Sequence, residues 1–445
     1  MLEKSVRGII VNVKVNDYCI VYYKNILGGK IIKKLSIFVF LSLLFVVISF
    51  ASPLNLWHTQ LVVEWAGRAE CVDLFESTVN LDVEKDYGPA LYRDALQNFI
   101  IQSRTGNPDV IELVLEQMFT LAKGSLILPL DEYWENYEDK DQYYQNAVDA
   151  LTFNGKLYGV PYNTNVRLLL YRKSVFEEND LKVPETWDEL VNTAAYITKN
   201  VPDMQGFMFT TKTREVRAFQ EFMSFYLQLN KKMFEVSEDG LKVVATKDQL
   251  QQVLQLYHDM FFDGGISLNE RGADWKALDY GYTAGKYAMV TVGPWIWGHR
   301  FEEEARGDIL DDTGIIGIPV AENGTAGTYM EVKPICVNAA SNDKDGAFEL
   351  VKAVTSKEFQ FLIDSKSGVL SPRKDVMNMP EMKNNWWLSG FAKYMDTGVA
   401  LDPVSWEQPQ NLIIQSIQKV IYKQLTPEEA AENLLKDLER VAKSL

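Results

Sequence analysis

The sequence predicts an α/β protein built as two compact lobes, and three observations carry that prediction. At 445 residues the chain exceeds the roughly 150 residues of an ordinary domain. Short apolar runs of strand type alternate with stretches whose apolar residues recur at helical spacing, the pattern of mostly parallel strand pairing. No segment of about 20 to 50 residues repeats, which removes solenoids and propellers.

Taken in chain order, "LNLW" reads as an opening strand and Val63 to Ser77 as a helix. "PDVIEL" reads as a buried strand, and "FTLAKGSLILPL" as a helix end followed by a turn. Thr186 starts a helix: Glu189 stands three residues on, as a capping box requires, and Leu190, Val191, Ala194 and Ile197 share one face. "SNDKDGAFELVKAVTS" enters another helix, with Ala347, Leu350, Val351 and Val354 spaced i, i+3, i+4, i+7. The last helix starts at Thr426-Pro427-Glu428-Glu429, a threonine cap with proline at the first position and acids at the positive end of the dipole. Leu434, Leu438 and Val441 form its buried edge.

Composition narrows the classes of function. Hydrophobic residues make up 47% of the chain, enough for sizeable cores, and the net charge of -16 opposes close approach to a polyanion, so nucleic acid is excluded as a partner. Residues 30 to 51 read as an export signal: Lys30, Lys33 and Lys34 precede an apolar run of 16 residues from Leu35 to Phe50, and Ser49-Phe50-Ala51 places small residues for cleavage after Ala51. That run is shorter than the roughly 20 residues of a membrane-spanning helix. The first 29 residues lie upstream of any ordinary signal and fit an over-extended gene start, with a genuine extra segment as the alternative. Removing residues 1 to 51 takes away seven basic and two acidic residues and leaves a mature charge of -21. Only Cys19, Cys71 and Cys336 are present; the expectation for Cys71 and Cys336 is two buried thiols, with an export-formed disulfide as the alternative.

Catalytic and metal motifs are tested and fail. His58, His258 and His299 do not stand at zinc-ligand spacing. "SNDKDG" begins on Ser341 and carries Lys352 where a calcium loop needs glutamate, so it is expected to be a helix-capping turn. "GYTAGKY" is one residue short of a phosphate loop and has Tyr287 in place of the hydroxyl ligand. No cofactor and no metal are expected. Paired carboxylates for a secreted glycosidase remain a minor alternative.

From Gly155 the chain reads "GKLYGVPYNTNVRLLLYRKSVFEENDLKVPETWDELVNTAAYIT", which resembles the family 1 extracellular solute-binding proteins, the maltose-binding-protein-like components of ABC importers. "YTAGKYAMVTVGPWIWGHR" and "KPICVNAASNDKDGAFELVKAVTS" are similar to later blocks of that family, and "PDVIEL", "LILPLDEYW" and "SGVLSPRKDV" complete the order. The resemblance implies a two-lobed periplasmic-binding-protein fold of type II, with lobes joined by three crossings near Tyr162 to Asn165, Val332 to Pro334 and Ser371 to Arg373. The amino-terminal lobe would comprise residues 52–163 plus 335–371 and the carboxy-terminal lobe 164–334 plus 372–445. It implies a non-catalytic, exported, monomeric receptor that closes on a sugar and delivers it to membrane permease subunits; the alternative is an anionic or phosphorylated polyol.

A sugar cleft needs aromatic faces for C–H surfaces and polar side chains for hydroxyls. Trp295 matches the position that commonly stacks on ligand, and Trp297 follows it, with core packing as the competing role for both. Trp57 and His58 end the first strand where the amino-terminal lobe meets solute. Glu116 matches a position that often accepts sugar hydroxyls, against a plain surface glutamate. Thr164 and Asn165 occupy the first crossing, where hinge hydrogen bonding is the alternative. Arg217, Trp275, Tyr329, Arg373 and Trp406 complete the candidates, and Arg373 beside a crossing is the residue that would favour an anion.

Overall fold

The computed structural model describes residues 11–15, 18–22, 52–62, 68–237, 240–301 and 307–443. The chain divides into two units, Met1–Ser52 and Pro53–Leu445. In the first, Val11–Val15 and Tyr18–Tyr22 pair as an antiparallel hairpin whose second strand contains Cys19. The expected export signal, residues 30–51, lies outside the described residues. Among the described residues no helix is long and apolar enough to cross a membrane.

The second unit is built on two sheets. One sets Leu56–Trp57, Val110–Glu112, Thr328–Val337 and Gly398–Val399 side by side, with Val160–Val166 also paired to Thr328–Val337. The other runs Thr313–Ile316, Leu168–Arg172, Tyr287–Val292, Gln205–Met208. Pairing is mixed rather than mostly parallel as expected: Leu168–Arg172 runs antiparallel to both neighbours, and Thr328–Val337 is antiparallel to Val110–Glu112 and Val160–Val166. The cause is the way the chain changes lobes. Strands Val160–Val166 and Leu168–Arg172 belong to different sheets and are separated by Arg167 alone, so the chain crosses fully extended, without the helix that would return it parallel.

The long strand Thr328–Val337 makes the return passage, pairing with Gly398–Val399 at one end and Val110–Glu112 at the other. A third segment lies alongside, where the Thr164 N–H donates to the Leu370 carbonyl at 3.0 Å. All seven residues of Val160–Val166 are buried, although Asn163, Thr164 and Asn165 are polar.

The expected helix starts are present. Thr186 accepts from the Glu189 N–H at 3.2 Å, Asp343 accepts from the Gly346 N–H at 2.8 Å, and Thr426 accepts from the Glu429 N–H at 3.2 Å. "SNDKDG" is thus a capping turn opening Lys344–Val354, whose Ala347, Leu350, Val351 and Val354 are all buried. Cys71 and Cys336 are free and buried, and burial pushes the Cys71 thiol up to about 12.

Candidate functional site at the strands between the lobes

The two crossing strands form a polar floor. In a strand, alternate side chains share a face, and paired residues on neighbouring strands share it too. The register sets Asn163 opposite Lys333 and Asn165 opposite Glu331. Asn165 Nδ2 donates to Glu331 Oε2 at 3.3 Å, and Arg167 donates from one guanidinium nitrogen to Asn165 Oδ1 at 3.0 Å. A second nitrogen of Arg167 lies 3.6 Å from Glu331. Tyr329, two residues before Glu331, lies under the same guanidinium, 4.6 Å from ring centre to Cζ.

Two helices reach over this floor. Leu115–Lys123 supplies Glu116, whose Oε1 accepts from the Tyr329 hydroxyl at 3.0 Å and from Gln220 Nε2 at 3.1 Å. Gln220 stands on Val216–Leu229 and also accepts from Arg167. From that second helix Arg217 pairs with the buried Asp279, one contact measuring 3.1 Å. Asp279 further meets His299 at 3.3 Å and accepts from Trp295 Nε1 at 3.4 Å. The half-buried Trp295 ring has the Cζ atoms of both Arg167 and Arg217 at 4.9 Å.

Charge in this cluster is close to balanced. Burial, and then the neighbouring Glu331 carboxylate, push Glu116 up to about 7. Burial likewise raises Glu221 to about 8 against the pull of Arg217, while its Oε2 accepts from the Thr210 N–H at 2.9 Å. Asp279 behaves oppositely: burial raises it, but the Arg217 charge and the hydrogen bond from His299 outweigh burial and hold it below the ordinary carboxylate range. Several deeply buried polar atoms have no partner within the chain: Glu116 Oε2, Arg167 Nε, and both the oxygen and nitrogen of the Asn163 amide. Such atoms are rare in folded proteins. Here a carboxylate oxygen, a guanidinium N–H and an amide belong to one strand-and-helix cluster, a donor and acceptor set suited to hydroxyl groups.

A second network continues along the floor, from half-buried Lys333 and Tyr92 to buried Glu112 and His58. The Lys333 ammonium donates to the Tyr92 hydroxyl at 2.8 Å, and Tyr92 donates to Glu112. Glu112 also accepts from the Thr59 N–H at 2.8 Å and lies 3.3 Å from His58. Burial lowers the His58 pKa, outweighing the Glu112 charge, so the imidazole is held neutral.

Of the residues singled out from sequence, the fold brings Glu116, Asn165, Arg217, Trp295 and Tyr329 into this cluster. Thr164 is turned to the backbone, its hydroxyl donating to the Glu331 carbonyl at 3.1 Å. His58 sits in the adjoining network, and Trp57 packs against the Gly88 backbone, where an added Cβ would come within 2.4 Å of the indole. Trp275 is half-buried at the head of helix Trp275–Thr283, its ring 6.4 Å from that of His299. Trp297 packs among Trp386, Trp387 and Gly368. Trp406 is wholly buried, its Nε1 donating to the Asp402 carbonyl at 2.9 Å between Phe219 and Phe234. Arg373 is buried and paired with Asp139 at 2.8 Å and Asp375 at 2.9 Å.

Sequence reasoning missed Asn163, Arg167, Gln220, Asp279, Glu331 and Lys333. For the crossing residues a signal existed: "YMEVK" sets Glu331 and Lys333 at alternate positions between apolar residues, and "NTNVR" brings several polar residues into an apolar stretch.

The chain matches the family model for bacterial extracellular solute-binding protein over residues 71–389. A binding protein of Brucella abortus (strain 2308) is 23% identical over 316 residues, covering 71% of this chain and 74% of that one. Maltose-bound MalE3 of T. maritima superposes with a TM-score of 0.75 at 19% identity, covering 87% of this chain and 99% of that chain. An ABC transporter solute-binding protein of Thermotoga lettingae TMO bound with α-D-tagatose gives a TM-score of 0.74 at 23% identity, covering 87% of this chain and 100% of that one. With two lobes, extended crossings and a polar floor between them, the chain belongs to the bacterial extracellular solute-binding proteins.

Proposed function

We propose that this protein is the extracytoplasmic receptor of an ABC importer, taking up a neutral sugar or polyol between its lobes and passing it to a membrane permease without chemical change. The observation that carries the reading is the cluster around Glu116, Arg167 and Asn163, whose unpartnered buried atoms match hydroxyl groups beside the half-exposed face of Trp295. The similarity to proteins that hold maltose and tagatose supports a carbohydrate. In this reading the mature receptor is a monomer beginning at Ser52, with lobes of residues 52–163 plus 335–371 and 164–334 plus 372–445.

A neutral solute is favoured over an anion by the charge already present. Arg217 is matched by Asp279, Arg167 faces Glu331, and Arg373 is paired with Asp139 and Asp375, so the positive charge of each of the three is already countered by a carboxylate. Titrating sugars and polyols against tryptophan emission tests the proposal. A saturable change with the sugar recovered intact is expected; a response confined to phosphorylated compounds, or consumption of the sugar, overturns it.

A further inference from the structure

Gln220 occupies a position unlike any other polar side chain in the cluster. Its Nε2 lies 3.1 Å from Glu116, 3.5 Å from the Tyr329 hydroxyl and 3.5 Å from Glu331, while its Oε1 accepts from Arg167. One fully engaged amide therefore ties helix Val216–Leu229 to helix Leu115–Lys123, to strand Thr328–Val337 and to Arg167 at the first crossing. At that point side chains of the two helices meet through a direct hydrogen bond of 3.1 Å. Asn163 and the Lys333–Tyr92–Glu112 network belong to the strand and helix of one sheet, whereas Trp295, Arg217 and Asp279 belong with the other.

A chain of sugar rings needs an uninterrupted groove with an aromatic face or a polar set for each ring. The Gln220 bridge joins Glu116 to Arg167 within the cluster that such a groove would have to run through. Three other indoles singled out from the sequence do not join the cluster: Trp57 packs on Gly88, Trp297 in its tryptophan cluster and Trp406 in the core.

We propose that Gln220 is the length-determining residue of this receptor, restricting its solute to a single-ring sugar or an open-chain polyol. The proposal rests on the receptor reading above and deepens it. Solute selection of this kind is a difference between two affinities, so it is read as a ratio rather than as loss of binding.

The test is calorimetric titration of the full chain with aldoses, ketoses and pentitols, together with the disaccharide and trisaccharide of each aldose. The wild-type chain is expected to bind its best single-ring or open-chain solute at least about tenfold more tightly than the matching trisaccharide, and Gln220→Ala to shrink that preference by about tenfold or more. Gln220→Asn, which keeps the amide but shortens the reach, is expected to fall between the two, and it carries the comparison if the alanine variant fails to fold by circular dichroism. A merely structural glutamine would weaken every solute alike and leave the ratio unchanged, and that result overturns the proposal. So does a wild-type chain that binds a trisaccharide as tightly as the monosaccharide. Binding of none of these compounds by wild type instead overturns the receptor reading, and the proposal with it.

Discussion

Glu116 feels two effects that act in one direction, since burial and the Glu331 charge both favour its protonated form. With a folded value of about 7 against an ordinary 4.5, the native chain holds a proton that the unfolded chain releases. The contribution to stability is therefore complete below about 4.5 and is lost as pH rises through 7. Glu116→Gln keeps an oxygen to accept from Tyr329 and Gln220 and removes the titration. Without solute, this variant should melt higher than wild type at pH 8, by an amount on the order of 2 kcal/mol, and show a flatter stability profile between about 4.5 and 7. Thermal melts across that range check it, and identical profiles for the two proteins would contradict it. At this scale the sequence was only partly readable. Trp295 and Trp406 have the same side chain, yet the one between Pro294 and Ile296 faces the cluster and the one between Ser405 and Glu407 fills a core, because the destination of an indole depends on which elements close over it. Gln220 was unreadable for a related reason: its neighbours on the helix are mostly core residues, and its partners lie 53 to 111 positions away along the chain.

Helices announced themselves more clearly than strands. Thr186 and Thr426 each sit three residues before the glutamate that completes a capping box, a signal contained within four residues. The crossing strands gave no comparable local sign of direction, and mixed pairing went unread because it follows from where the chain re-enters a sheet. Packing between elements also makes demands that composition hides. Gly206 lets strand Gln205–Met208 lie directly against helix Trp187–Asn200; a Cβ there would come within 2.1 Å of the Ala194 carbonyl oxygen. Backbone atoms cannot rotate aside, so Gly206→Ala should cost about 1 to 3 kcal/mol and lower the melting midpoint by several degrees, without altering relative preference among solutes. A midpoint equal to wild type would show that the helix and strand can separate without penalty.

For the whole molecule, the order of the sequence blocks foretold the two lobes, since a family resemblance spread along the chain constrains overall architecture even where pairwise identity is low. Closure about the crossings predicts a smaller radius of gyration by X-ray scattering when the solute identified by titration is added, and no change with a sugar that does not bind. Equal profiles in both cases would argue for a receptor already shut before capture. The strands that carry Asn163, Asn165, Tyr329, Glu331 and Lys333, with Arg167 at the end of the first, are the same strands by which the chain passes between lobes. Under the proposed receptor reading, grip and bending share one piece of backbone: a substitution made to retune taste for a nutrient would also reset how readily the jaws swing, and natural variants with altered diet should carry compensating changes in the pivot.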